Sequence, residues 1–223
     1  MAILSANTFL DDLKNIILST YFQLTIVISL LLIIYLIFTK TRHIYLVDFS
    51  CYLPPAHLRA STANFIEHFE ICDVHGREAI DFQTKVAEKS GIGPETSFPL
   101  AMHQLPPDKS LNSARDETET ILFTVVKDLL AKHSINPKDI DILVSNCSIF
   151  CPTPSITAMI VNKFGFRSNV KSVSLGGMGC SAGLVAVSLA KDLLRVHGNS
   201  LALVLSMEAV TPSGYAGNLG NKL

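Results

Sequence analysis

The chain has 223 residues and a formal net charge of −1 at pH 7. That length holds one domain with an anchor, or a domain cut short, and the near-neutral balance gives no reason to expect a nucleic-acid partner. A mean hydropathy of +0.38 is high for a soluble domain and comes partly from the N-terminus. The five cysteines, Cys51, Cys72, Cys147, Cys151 and Cys180, lack the spacing of a disulfide framework. No second Cys or His pair completes a zinc site with Cys147 and Cys151, so free thiols in a reducing compartment are expected.

The first 20 residues do not read as a cleavable signal, because a basic start is missing and Asp11 and Asp12 interrupt the apolar run. Phe9, Leu10, Leu13, Ile16 and Ile17 recur at helical spacing, opposite Asp11, Asp12, Lys14 and Asn15. Two readings stand, an interfacial helix or a tail leading into the next segment. Residues 21–38 are almost wholly apolar, with Tyr21 and Tyr35 near the ends. As a helix they reach roughly 27 Å, against a hydrocarbon thickness of about 30 Å. Lys40 and Arg42 follow at once, so the positive-inside rule puts the remainder in the cytosol.

Residues 44–49 alternate as a strand does, and Pro54 and Pro55 end it. Residues 56–112 carry many breakers and read as an insertion with one helix around 64–90, of the kind that forms lids or binding surfaces. His57, His68, His75 and His103 within it have no metal-ligand spacing. Residues 115–134 form an amphipathic helix, capped by Asn112 or Ser113, with Ile121, Leu122, Val125, Val126, Leu129 and Leu130 as its apolar stripe. A strand at 140–145 leads to a loop stiffened by Pro152 and Pro154. Ser155 then caps a helix that runs to Phe164. Strands at 170–175 and 201–207 flank a helix at 184–196, and residues 208–223 read as loop.

The chain is organised around residues 175–183, Leu-Gly-Gly-Met-Gly-Cys-Ser-Ala-Gly. Strand, glycine turn, cysteine and helix follow in that order. The glycines permit positive φ and close backbone approach. The turn leaves Cys180 at the first turn of a helix, where unpaired N–H groups and the helix dipole favour a thiolate and lower its pKa. Cys180 is therefore the candidate nucleophile, weighed against a buried, inert cysteine beside a packing turn. His197 lies 17 residues further on, roughly 25 Å along a straight helix, beyond reach as its base. Alternating strands and helices imply an α/β fold, a mostly parallel sheet with helices on both faces.

Residues 45–52, 137–144, 146–148, 152–155 and 175–183 together resemble plant 3-ketoacyl-CoA synthases, the condensing enzymes of very-long-chain fatty acid elongation. The resemblance runs from about residue 20 to about residue 215. It implies a thiolase-like fold, of which this chain is the N-terminal half, and an acyltransferase without cofactor or metal that acts on long-chain acyl-CoA and malonyl-CoA. It also implies a homodimer, elongase reductases and a dehydratase as partners, and an endoplasmic-reticulum membrane anchor with the catalytic domain facing the cytosol. By resemblance Cys180 accepts the acyl group and its N–H contributes to an oxyanion hole. Gly176, Gly177, Gly179 and Ser181 shape the turn, and the 147–155 loop lies beside it. The family's decarboxylating His and Asn come from the second half of its fold, so little activity is expected of these 223 residues alone. The family's usual two spans leave one or two here. The expected division is an anchor at 1–40, in which an amphipathic or short helix precedes a transmembrane helix at 21–38, and a condensing half-domain at 41–223 with the insertion at 56–112. The competing readings are a non-catalytic membrane relative that pairs with full-length enzymes, and a type III polyketide synthase-like enzyme.

Overall fold

The computed structural model describes residues 3–38, 42–71 and 76–213. The chain divides into two compact units, Met1–His43 and Ile44–Leu223. Cys72, His75 and Lys40, noted in the sequence, lie outside the described residues.

The first unit is a single helix, α1 (Ile3–Phe38). Neither Gly nor Pro occurs before residue 39, so nothing in the sequence breaks it. The amphipathic stretch and the apolar run, expected as successive elements, are continuous. Within α1, Lys14–Ile37 is long and apolar enough to cross a membrane. Thr20 and Thr25 donate their hydroxyls to the carbonyls of Ile16 and Phe22, at 2.8 and 2.7 Å, satisfying both within the helix.

The second unit begins with an extended segment that is not a strand. Residues 44–49 join no β-sheet among the described residues, and Leu46, Val47 and Phe49 are exposed. Alternation describes a side-chain set suited to a pleated surface and does not supply the partner. The segment is tied down at Asp48, whose Oδ2 lies 2.6 Å from both Lys132 Nζ and His133 Nε2.

The helix expected around 64–90 is two helices, α2 (Thr62–Ile71) and α3 (Arg77–Lys89), the latter capped by Gly76. Glycine is the poorest helix former after proline, so the break falls beside it. An antiparallel bridge between Arg59 and Ser97 closes the base of this excursion, and Phe65 stacks on Phe98. Next, α4 (Leu111–Lys132) starts earlier than its apolar stripe suggests. Ser110, rather than Asn112 or Ser113, is its cap and accepts from Ser113 N–H at 3.2 Å. Asp108 in turn accepts from Ser110 N–H and from the Ser113 hydroxyl.

Three parallel strands form the sheet: β1 (Ile142–Asn146), β2 (Lys171–Leu175) and β3 (Ala202–Ser206), in the order β2-β1-β3. Between β1 and β2 lies α5 (Ile156–Phe164), capped by Ser155 and closed by Gly165 in the left-handed region. Between β2 and β3 lies α6 (Ala182–Val196). Leu143, Leu203 and Leu205 pack with Leu122, Val126 and Leu130 of α4 and Ile156 and Ile160 of α5. Ile142 and Val144, one residue out of phase, pack with Ala186 and Ala190 of α6. Both faces are thus covered, which is why β1 is buried along its whole length. The α/β expectation holds.

Hydrogen bonds from Lys132 first, then His133 and Phe49 N–H, hold the Asp48 carboxyl well below the usual carboxylate range. A depressed carboxyl pKa stabilises the folded state above its ordinary value, and that contribution is lost as pH falls through the depressed one. Asp48→Asn is expected to speed amide exchange across residues 44–50 at pH 7 while leaving β1 protected. The unsubstituted chain should match the variant only in strong acid.

Candidate active site

Parallel strands bring their C-terminal ends to one edge of the sheet, where α/β proteins place their ligands. Here that edge carries Cys147 after β1, Gly176 after β2 and Glu208 after β3. The ladder extends into these segments, with Cys147 N–H donating to Leu175 O at 3.1 Å and Met207 N–H to Asn146 O at 3.3 Å.

The glycines after β2 serve two different needs. Gly177 and Gly179 have φ of +69° and +67°, a region that side chains with a Cβ rarely adopt. Gly176 is needed for space, because a Cβ there would lie 2.8 Å from Cys151 Sγ. Cys180 sits in a 3-10 turn, Gly179–Ser181, that runs directly into α6, and it is exposed. The Ser181 hydroxyl donates to Met178 O at 3.0 Å and so braces the turn from within. Further along, a Cβ at Gly183 would approach Ser206 Oγ to 3.2 Å, so the start of α6 presses on the end of β3.

The loop at 147–155 lies against this turn. Cys151 packs its sulfur over Gly176 and donates to Cys147 O at 3.0 Å. Ser148 donates its hydroxyl to Gly179 O at 3.3 Å, one peptide from Cys180. Cys147 is buried and donates its thiol to Glu208 Oε1 at 3.0 Å. Burial first, and then the Glu208 carboxylate, push the Cys147 thiol up to about 11. It is a thiol at neutral pH and no nucleophile.

Glu208 also accepts from Ser148 N–H at 2.9 Å and Ile149 N–H at 2.8 Å. Burial pulls its carboxyl upward, but the Cys147 thiol and the N–H groups of Ile149, Ser148 and Phe150 outweigh that and hold it below the ordinary value. Sequence reading placed Glu208 at the start of a loop and gave it no role. The available signal was its position, two residues past a strand whose parallel neighbours are followed directly by Cys147 and Gly176.

Three of the described histidines are placed elsewhere. His103 Nε2 lies 3.2 Å from Leu58 O, His133 holds Asp48, and His197 caps the far end of α6. Among the described residues no group of three His, Cys, Asp or Glu side chains is arranged to hold a metal ion. Cys51, Cys147, Cys151 and Cys180 are free thiols.

Residues 36–223 match the family model of FAE1/Type III polyketide synthase-like proteins. The chain belongs to this family. Arabidopsis thaliana 3-ketoacyl-CoA synthase 7 is 58% identical to it over 189 residues, 85% of this chain and 41% of that protein. 3-Ketoacyl-CoA synthase 4 of the same plant is 48% identical over 213 residues, 93% of this chain and 41% of that protein. The chain thus spans about two fifths of the length of these curated relatives. Among solved structures, the 1,3,6,8-tetrahydroxynaphthalene synthase of Streptomyces coelicolor A3(2), a type III polyketide synthase, superposes with a TM-score of 0.63 at 17% identity. That match covers 78% of this chain and 49% of the other. The fold is the thiolase-like α/β fold of those enzymes. An exposed thiol on a glycine turn before a helix is suited to nucleophilic chemistry.

The Gly176 contact is directly testable. Gly176→Ala places a Cβ 2.8 Å from Cys151 Sγ, so the sulfur must shift and a small loss of stability is expected. Thermal unfolding should register that loss, and Gly176→Ala combined with Cys151→Ala should recover most of it. A double variant no more stable than Gly176→Ala alone would show that the sulfur is not the obstacle.

Proposed function

We propose that this chain is the cysteine-bearing part of a membrane-anchored 3-ketoacyl-CoA synthase, which condenses long-chain acyl-CoA with malonyl-CoA. The observation that carries the reading is Cys180, exposed on its glycine turn ahead of α6, in a chain 58% identical to a protein named 3-ketoacyl-CoA synthase. Cys180 attacks the acyl thioester carbonyl as thiolate. The tetrahedral oxyanion collapses, CoA leaves as its thiolate, and the acyl group stays on the sulfur. Malonyl-CoA then loses CO₂, and the carbanion left behind attacks the Cys180 thioester. Cys180 departs as thiolate, and the product is a 3-ketoacyl-CoA two carbons longer. The Cys180 N–H donates to the oxyanion in both additions. Gly176, Gly177 and Gly179 hold the turn, with Ser181 bracing it. No residue of this chain is assigned as the group that promotes decarboxylation.

The apolar stretch Lys14–Ile37 supports an anchor in the endoplasmic-reticulum membrane, with Arg42 on the cytosolic side together with the condensing unit. The exposed edge strand β2 supports a homodimer in which β2 meets its copy. Reductases and a dehydratase follow as partners, because a 3-ketoacyl product must be reduced and dehydrated before another round. The likeness to a type III polyketide synthase favours a second reading, iterative polyketide extension on the same sulfur. The long apolar helix and the 3-ketoacyl-CoA synthase relatives argue for a single condensation instead.

With labelled long-chain acyl-CoA, Cys180→Ser is expected to abolish the thioester adduct seen by peptide mass spectrometry, and Cys151→Ser to leave it nearly intact. An adduct that persists without Cys180 contradicts the assignment. In the full-length synthase, product analysis after adding malonyl-CoA separates one condensation from several.

A further inference from the structure

Three sulfurs crowd the edge of the sheet, at Cys147, Cys151 and Cys180, and the chemistry needs only one of them. We propose that Glu208 is a positioning residue, whose carboxylate pins the 147–149 backbone against the nucleophile turn and engages the Cys147 thiol, so that Cys180 is the sulfur presented. The proposal rests on the condensing-enzyme reading for why one thiol must be singled out, and on geometry for how this is done.

Three donors converge on the carboxylate: Cys147 Sγ, Ser148 N–H and Ile149 N–H. A carboxylate accepts all three, whereas an amide in its place offers one oxygen and turns an NH₂ toward one of the donors. The segment so held reaches the turn at two points. Ser148 donates to the carbonyl of Gly179, the residue before Cys180, and Cys151 fills the space left by Gly176. Release of Glu208 therefore frees the contacts that fix the peptide carrying Cys180. Each of the other two thiols already has an acceptor, Glu208 for Cys147 and the Cys147 carbonyl for Cys151. Among the described residues the Cys180 thiol donates to no protein group. Glu208 forms no ion pair among them either, so its charge is met there by neutral donors.

The test is iodoacetamide labelling of each cysteine against pH, read by peptide mass spectrometry on the full chain in detergent. In the unsubstituted chain Cys180 should label at least tenfold faster than Cys147 at pH 8. In Glu208→Gln the Cys147 profile should move to lower pH, because the neighbouring negative charge is gone. Cys180 should label at least threefold more slowly with a displaced profile, and exposed Cys51 should not change. Cys147 and Cys180 profiles that both superimpose on the unsubstituted chain overturn the proposal. If Glu208→Gln loses amide protection in β1 and β3, and so fails to fold, two variants at Cys147 replace it. Cys147→Ser keeps a donor facing Glu208 and should keep the Cys180 profile, whereas Cys147→Val removes the donor and should displace it. Identical Cys180 profiles in that pair overturn the proposal. Iodoacetamide needs no acyl-CoA, so a Cys180 that labels as expected yet accepts no acyl group sinks the condensation reading and leaves this one standing.

Discussion

The Cys151 sulfur would lie only 2.8 Å from a Cβ on residue 176, and that close approach ties the loop after β1 to the turn after β2. Because Gly176 is bare, the loop after β1 closes onto the turn after β2, with Cys151 as the wedge. Once the loop is there, Ser148 reaches the carbonyl of Gly179, and the Cys147 thiol and two backbone N–H groups face Glu208 at the end of β3. Three segments far apart in sequence are thereby locked at one edge of the sheet. Cys180 stands outside the lock, exposed, at the entrance to α6.

The lock depends in turn on the sheet. β1 lies between β2 and β3 and is buried on both faces, with Ile142 and Val144 toward α6 and Leu143 toward α4 and α5. Burial of those side chains, at roughly 25 cal/mol per Å² of apolar surface, gives the three strand ends a rigid base. A loop spanning two such ends loses little entropy when its contacts form, so a few hydrogen bonds of about 1 kcal/mol each suffice to order it.

Much of this was legible in the residues. The three strands showed as short apolar runs, and the start of α5 showed through Ser155, while Gly165 closes its other end. The cysteine turn was visible because Gly177 and Gly179 leave a mark that no other residue type makes. What escaped was decided by competition or by distance. Ser110 won the cap of α4 from Asn112 and Ser113 because Asp108 supports it. Residues 44–49 have the pattern of a strand but join no sheet among the described residues. Gly76 divided a run whose apolar spacing read as one helix. Glu208 was invisible because its three donors lie about 60 residues earlier, and only the strand order brings them together. Ser181 looked like a turn-shaping residue, and the structure adds the atom its hydroxyl is spent on, Met178 O.

The central claim is that one sulfur of several neighbours takes the acyl group. A long-chain 2-bromoacyl-CoA, which alkylates whichever thiol the acyl-CoA site presents, tests it most directly. Tryptic cleavage separates Cys180, on the peptide spanning residues 172–191, from Cys147 and Cys151, which share the peptide spanning 139–163. The adduct is expected on 172–191, suppressed by excess long-chain acyl-CoA. An acyl-CoA-protected adduct on 139–163, with 172–191 unmodified, would contradict it.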